Sequence, residues 1–354
     1  MEELSRLASD NIVFPWLGIS LNVDNEAFSL FGLSIKWYGV LIASGMLLAM
    51  LYCFRLTKEF GIDSDRVVDV VIAGVIGAVV GARSYYVILH AEYYHDIREI
   101  LSIRDGGLAI YGGLLGALLV GCITAKIRKV RILPLIDCAS MGFFIGQCVG
   151  RWGNFFNQEA FGCNTTLPWG MSGGRIQSYL INHQASLAAQ GMEVNPFLPV
   201  HPTFLYESIW CLLGFLMLHF YYKKRKFDGE MFCYYVIWYG TGRFFIEGLR
   251  TDSLYLGSVR ASQMLAIVSA VLALMVVIAM HIRVKKVGAV LYRDTEESKR
   301  FMEESAERER DYEERKNAKK NKALSDDQRI IGDDEAEEVV DSNETDNDTN
   351  GTEE

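Results

Sequence analysis

The chain has 354 residues, half of them hydrophobic, and a formal net charge of −9. Residues 294–354 carry 23 acidic and 10 basic side chains, a net of −13, so the preceding body stands at +4 and two physically different segments share one chain. An apolar, faintly basic body with no basic stripe gives no ground for a nucleic-acid partner, and seven cysteines without a C-x-x-C pair argue against a zinc site or disulfide framework, so neither metal nor cofactor is expected.

Met1 to Asp10 lacks the basic start and apolar core of a cleavable leader, so membrane spans are expected to direct insertion themselves. A span needs about 20 largely apolar residues, and seven stretches qualify: 38–56, 67–89, 107–125, 132–150, 203–222, 231–249 and 259–282. The predicted class is an all-α integral membrane protein of seven transmembrane helices. Arg55, Lys58 and Arg66 follow the first span, Lys126 to Arg131 the third, Lys223 to Lys226 the fifth and Arg283 to Lys286 the seventh. By the positive-inside tendency these connections are cytoplasmic, which puts the N-terminus outside and the C-terminus inside. Residues 1–37 are then an extracytoplasmic arm, 38–290 the membrane domain with a small extracytoplasmic insertion at 151–202, and 291–354 a cytoplasmic tail. Its polar composition predicts disorder or partial helix.

The sixth span carries Tyr239, Arg243, Glu247 and Arg250 at steps of four, four and three, a single helical stripe. An arginine in a span costs roughly 2.5–3.5 kcal/mol at the helix centre, so it must face protein, water or an anion. One reading is an internal Arg–Glu pair that holds helices together. The other is a phosphate site, since two arginines sharing one glutamate leave positive charge over and a guanidinium fork matches phosphate oxygens.

Three further groups face the same side. Where the fourth span ends stand Gly150, Arg151, Gly153, Asn154, Asn157, Glu159 and Gly162, offering donors to an anionic head group or, more simply, an interfacial cap with a snorkelling arginine. Gly106 to Gly113 opens the third span with paired glycines flanking Tyr111, a helix-packing pattern that leaves a phenol able to bond a ligand or relay a proton. His201-Pro202-Thr203 begins the fifth span, with Thr203 a candidate cap and Glu207 a carboxylate needing an arginine partner. Arg83, after Gly77 and Gly81, is another candidate, while Trp37 and Tyr38 fit an aromatic belt.

Taken together, Arg-Trp-Gly-Asn-Phe-Phe-Asn-Gln-Glu from 151, Gly-Gly-Leu-Ala-Ile-Tyr-Gly-Gly from 106, His-Pro-Thr-Phe-Leu-Tyr-Glu from 201 and Tyr-Gly-Thr-Gly-Arg-Phe-Phe-Ile-Glu-Gly-Leu-Arg from 239 resemble the bacterial prolipoprotein diacylglyceryl transferases. The resemblance runs from about Ile35 to the seventh span and does not include the tail. It implies an enzyme of the bacterial cytoplasmic membrane that moves the diacylglyceryl group of phosphatidylglycerol to the lipobox cysteine of a preprolipoprotein, forming a thioether and releasing glycerol phosphate. It further implies that Arg151 contacts the lipid and that Arg243 is essential. One position departs: many relatives have histidine where this chain has Tyr111, so a histidine general base is not available there. Arg243, Glu247, Tyr111 and Tyr38 are the catalytic candidates. Arg151, Asn154, Asn157, Glu159, Arg83, Arg250, Tyr239 and Glu207 are the candidates for holding phosphatidylglycerol. The rival reading is a phospholipid or anion transporter using the same arginines, whose signs would be paired broken helices.

Overall fold

The computed structural model describes residues 8–344 except 31, 95, 103–105, 253–254, 257–258 and 290, with backbone alone at 33, 255–256, 259 and 322–344. Residues before the first helix form two hairpins. Strands β1 (Asn11–Phe14) and β2 (Ile19–Asn22) pair antiparallel around a turn closed by Gly18 at φ +64°, and β3 (Glu26–Leu30) pairs with β4 (Leu33–Lys36). The body continues as α1 (Trp37–Leu56), α2 (Ser64–Leu89), α3 (Ile97–Leu101), α4 (Ile110–Ile127) and α5 (Ile132–Asn157). Then come β5 (Ser172–Gly173), α6 (Gly174–Ala189), α7 (Thr203–Tyr221), α8 (Glu230–Glu247), β6 (Tyr255–Leu256), β7 (Val259–Arg260) and α9 (Ala261–Val287). The chain divides into two units at residue 299, and the charged end lies in one helix, α10 (Glu296–Glu344). The helical class therefore holds for the body, while seven short strands among the described residues, too brief for a sequence pattern, lie outside the helices.

Among the described residues six helices, α1, α2, α4, α5, α7 and α9, are long and apolar enough to cross a membrane. The seventh expected span, α8, is helical, but within its 18 residues stand Glu230, Arg243 and Glu247. Arg243 and Glu247 belong to the charged stripe, and with Glu230 they make α8 more polar than those six. Two other boundaries move. Helix α5 continues through Asn157, so Arg151, Asn154 and Asn157 are helical residues and not the start of a loop. Residues 291–299, assigned by composition to the tail, belong to the first unit: Leu291 and Tyr292 are buried, and Ser298 Oγ donates to the Gly61 carbonyl at 2.7 Å.

Packing is governed by the small residues. Helices α2 and α4 run together, with Gly77 and Gly81 set against Gly112 and Gly116; a Cβ on Gly77 would stand 2.6 Å from the Gly116 carbonyl oxygen. Helix α1 lies along α5, where Gly142 makes room for the Cys53 sulfur. Between α7 and α8, Trp210 and Trp238 stack at 4.5 Å, and each indole N–H donates to the other's carbonyl at 2.9 Å. The rings fit because Gly214 and Gly242 lack side chains. The start of α8 is capped from α5: buried Asp137 accepts from Gly229 N at 2.6 Å and Phe232 N at 2.9 Å.

Two main cores result. One, around Phe60, Met141, Phe144, Leu218 and Met231, ties the helices at the end remote from the hairpins. The other, around Ile12, Met171, Ile176, Leu180, Val200 and Phe204, joins β1, α6 and the start of α7 into a head. Backbone bridges in this head pair Gly162 with Arg250, so the stretch just beyond α8 is fastened to it.

Candidate active site

The first turns of α7, the last turns of α5 and the end of α8 meet at Glu207. This carboxylate is 4% exposed and receives three guanidinium groups. Arg151 Nη2 from α5 lies 2.5 Å from Oε2, Arg243 Nη1 from α8 lies 3.0 Å from Oε1, and Arg250 Nη1, just beyond α8, lies 3.5 Å from the same oxygen. Arg243 also reaches Glu247 at 2.6 Å, as the four-residue step on the helix requires. Arg250 makes a two-point contact with Asp252, Nε to Oδ1 at 2.9 Å and Nη2 to Oδ2 at 2.7 Å. Burial opposes ionisation of both members of this last pair. The mutual bond and charge outweigh it, raising the Arg250 pKa and holding the Asp252 carboxyl below its ordinary range.

The expectation of surplus charge on the stripe is corrected by these contacts. Arg151, Arg243 and Arg250 contact three carboxylates, Glu207, Glu247 and Asp252, so the two arginines of the stripe do not share Glu247 alone. Arg260, at the foot of α9, adjoins the cluster, its Nη1 donating to the Glu247 carbonyl, the last of α8. Among the described residues Arg151 makes a single ion pair, which leaves two edges of its guanidinium available. A small cavity of about 10 Å³, room for roughly one water, lies beside the pair and is lined by Glu207, Tyr239, Gly242 and Arg243. Tyr239 stacks on Tyr235 at 5.8 Å.

A second polar group adjoins it on α5, one turn past Arg151. Asn154 Nδ2 and Asn157 Nδ2 both donate to Glu159 Oε1, at 3.0 and 3.1 Å. Glu159 Oε2 is thereby left for another donor. The turn that aims Glu159 is fixed by Gln158, which no sequence motif singles out: it takes φ +54°, is buried, donates to the Ser9 carbonyl at 2.7 Å and accepts from Arg175 N at 3.0 Å. Tyr38 lies on Gly153, where a Cβ would come 2.7 Å from its ring, and Trp37 stacks on Phe156 at 5.0 Å.

Three candidates stand elsewhere. Arg83 donates to four backbone carbonyls, Glu99 at 2.7 Å, Ile100 at 2.8 Å, Gly106 at 2.7 Å and Gly107 at 3.0 Å, with its guanidinium over the Tyr94 ring. Its donors are used in fastening the segment that leads into α4. Tyr111, in the first turn of α4, is 69% exposed, and among the described residues no hydrogen bond or ring contact joins it to Arg151, Arg243 or Arg250. Thr203 is the first residue of α7 and not its cap; the Thr203 hydroxyl donates to the Ala160 carbonyl, tying the α5 extension to α7. Asp252 is absent from the sequence candidates, although an acidic residue two places after an arginine of the stripe is the signal that could have found it.

Residues 25–279 match the protein family described as prolipoprotein diacylglyceryl transferase. The chain is 42% identical over 260 residues to the phosphatidylglycerol–prolipoprotein diacylglyceryl transferase of Clostridium novyi, covering 73% of this chain and 96% of the relative. To the proteins of the same name from Finegoldia magna and Clostridioides difficile it is 41% identical over 247 residues and 40% identical over 250, covering 69% and 70% of this chain and 91% and 92% of those relatives. The chain belongs to the prolipoprotein diacylglyceryl transferase family.

Proposed function

We propose that this chain transfers the diacylglyceryl group of phosphatidylglycerol to the thiol of the lipobox cysteine in a preprolipoprotein, acting in the bacterial cytoplasmic membrane. The observation that carries the reading is the convergence of Arg151 from α5, Arg243 from α8 and Arg250 just beyond α8 on one buried carboxylate of α7. In this reading α8 is the seventh span, the head and hairpins lie outside the cell, and the basic connections lie in the cytoplasm.

The reaction forms a carbon–sulfur bond at the glyceryl carbon and breaks that carbon's bond to the phosphate oxygen, with loss of the thiol proton. The nucleophile is the substrate's thiolate. Charge develops on the departing phosphate. Arg151, through its unengaged edges, and Arg243 are placed to stabilise it in a site with little water. Glu207 and Glu247 hold the two guanidiniums in fixed planes, which costs no reorganisation when the phosphate leaves. Glu159 Oε2, on a carboxylate pinned by Asn154 and Asn157, is an acceptor for the head-group glycerol hydroxyls. Tyr38 and Tyr239 pack the walls. Arg83 fastens the backbone before Tyr111, and Tyr111, exposed in the first turn of α4, orients lipid.

The test is a lipobox peptide incubated with purified protein and phosphatidylglycerol. A mass gain of one diacylglyceryl group on the cysteine is expected, and none on a peptide with Cys→Ser. Binding of the lipid without any modified peptide would transfer the case to a lipid transporter.

A further inference from the structure

A cavity of about 960 Å³ opens on the head, between the turn that joins β1 to β2 and the two loops before α7. That is the size of pockets, roughly 300–1,000 Å³, that hold drug-sized ligands or short peptides. Its lining includes Trp16, Phe197, Leu198, Thr165 and His201. Trp16 and Phe197 stay 69% and 45% exposed, so both rings are open to a ligand. Among the described residues no Asp, Glu, Lys or Arg lines the cavity. His201 adds no charge at neutral pH, since burial pushes its pKa down.

The cavity is continuous with the arginine cluster through backbone. Gly162 bridges Arg250, Cys163 N donates to the Leu249 carbonyl at 2.7 Å, and His201 N donates back to the Cys163 carbonyl at 3.0 Å. Asn164, next in line, clasps the far loop, its Nδ2 donating to the Asn195 carbonyl at 2.9 Å and its Oδ1 accepting from Asn195 N at 2.7 Å. From His201 the chain enters α7, which carries Glu207 in its second turn. One ladder therefore sets both the position of Arg250 and the floor of the cavity.

We propose that this cavity receives the segment of the protein substrate that comes after its lipobox cysteine, as an extended, uncharged stretch of polypeptide. The inference rests on the transferase reading of the arginine cluster and adds to it a second contact region for the same substrate. A lipid head group fits the cavity poorly, because a phosphate needs a cation and the walls offer none. A lining of apolar and aromatic side chains with hydroxyl, amide and imidazole groups suits peptide backbone and small side chains. A chain held there lies one ladder away from the phosphate site, so its cysteine is delivered along the head and not from solvent.

The experiment compares two lipobox peptides, one ending a single residue after the cysteine and one continuing for six more uncharged residues. Transfer to the short peptide reports the transferase reading by itself. The long peptide is expected to show a KM about tenfold lower at equal kcat. In Phe197→Ser and in Trp16→Ser that advantage should vanish while transfer to the short peptide is unchanged. An equal KM for both peptides in the wild type would overturn the inference and leave the transferase reading standing. Loss of affinity for both peptides alike in the variants would also overturn it, and would make the two rings an anchor in the membrane surface. A long peptide with a photoreactive residue four places after the cysteine gives a check that needs no variant: cross-links should fall at 164–167 or 197–201, and cross-links confined to other segments would refute the placement.

Discussion

Replacing Glu207 by glutamine keeps the shape of the hub and removes its charge, so the outcome isolates electrostatics. In the wild-type cluster the carboxylate lies 2.5, 3.0 and 3.5 Å from the nitrogens of three arginines, and only 5% of its side chain is exposed. At an effective dielectric constant of about 20 a contact at 3 Å represents roughly 5 kcal/mol of attraction, offset by much of the cost of burying both ions. Removing one member of such a buried set leaves a charge uncompensated and costs about 3–5 kcal/mol. A fall in Tm on the order of 10 °C in detergent is the expected readout. Phosphatidylglycerol brings back the missing negative charge, so it should raise the Tm of Glu207→Gln by more than it raises the wild type. Turnover should drop at least about 100-fold, since Arg151 and Arg243 lose the partner that sets their planes. If the variant melts with the wild type, or if the lipid stabilises both equally, the three arginines are not held by Glu207 and the reasoning is wrong.

Other substitutions probe separate parts. Arg243→Lys keeps charge but cannot contact Glu207 and Glu247 at once as the fork does, and should lose most activity in the peptide-transfer assay; near-normal turnover would remove the bidentate role. Tyr111→Phe should retain a substantial share of turnover, whereas full loss in a well-folded protein would give the hydroxyl a chemical role. Gly116→Val drives a branched side chain into the Gly77 backbone, where α2 and α4 touch. A stability loss of about 1–3 kcal/mol is expected from thermal melts, and an unchanged melt would show that the two helices do not meet there. His201 has a pKa below its unfolded value, so its contribution to stability is complete above about pH 6.5 and is lost as pH falls and the unfolded state takes up the proton first. His201→Asn should therefore flatten that part of the Tm–pH curve, and an unaltered slope would assign the dependence to another group.

Much of the helical body is legible in sequence because apolar length is a one-dimensional signal. The Arg243–Glu247 pair is legible for the same reason, as helical spacing fixes neighbours at four residues. What spacing cannot give is the hub. Glu207 lies 36 residues from Arg243 and 43 from Arg250, and only the α7–α8 packing brings them together. That packing rests on Gly242, which reads in sequence as a small residue in a motif and in the structure as the seat of Trp210. Arg83 draws notice as a buried arginine among glycines, and the partners it meets, two carbonyls of α3 and those of Gly106 and Gly107, are backbone groups that side-chain spacing does not reveal. The hairpins escape notice because strands of four or five residues such as Ile19–Asn22 carry too little alternation to register.

On the proposed function, the arginine cluster stabilises the phosphate as the diacylglyceryl group passes from phosphatidylglycerol to the thiol. The most direct measurement is glycerol phosphate release by purified protein in detergent with phosphatidylglycerol, with and without the lipobox peptide. Release that requires the peptide, matches modified cysteine one for one and disappears in Arg243→Ala is the predicted result. Release without peptide, or undiminished release in Arg243→Ala, would contradict it.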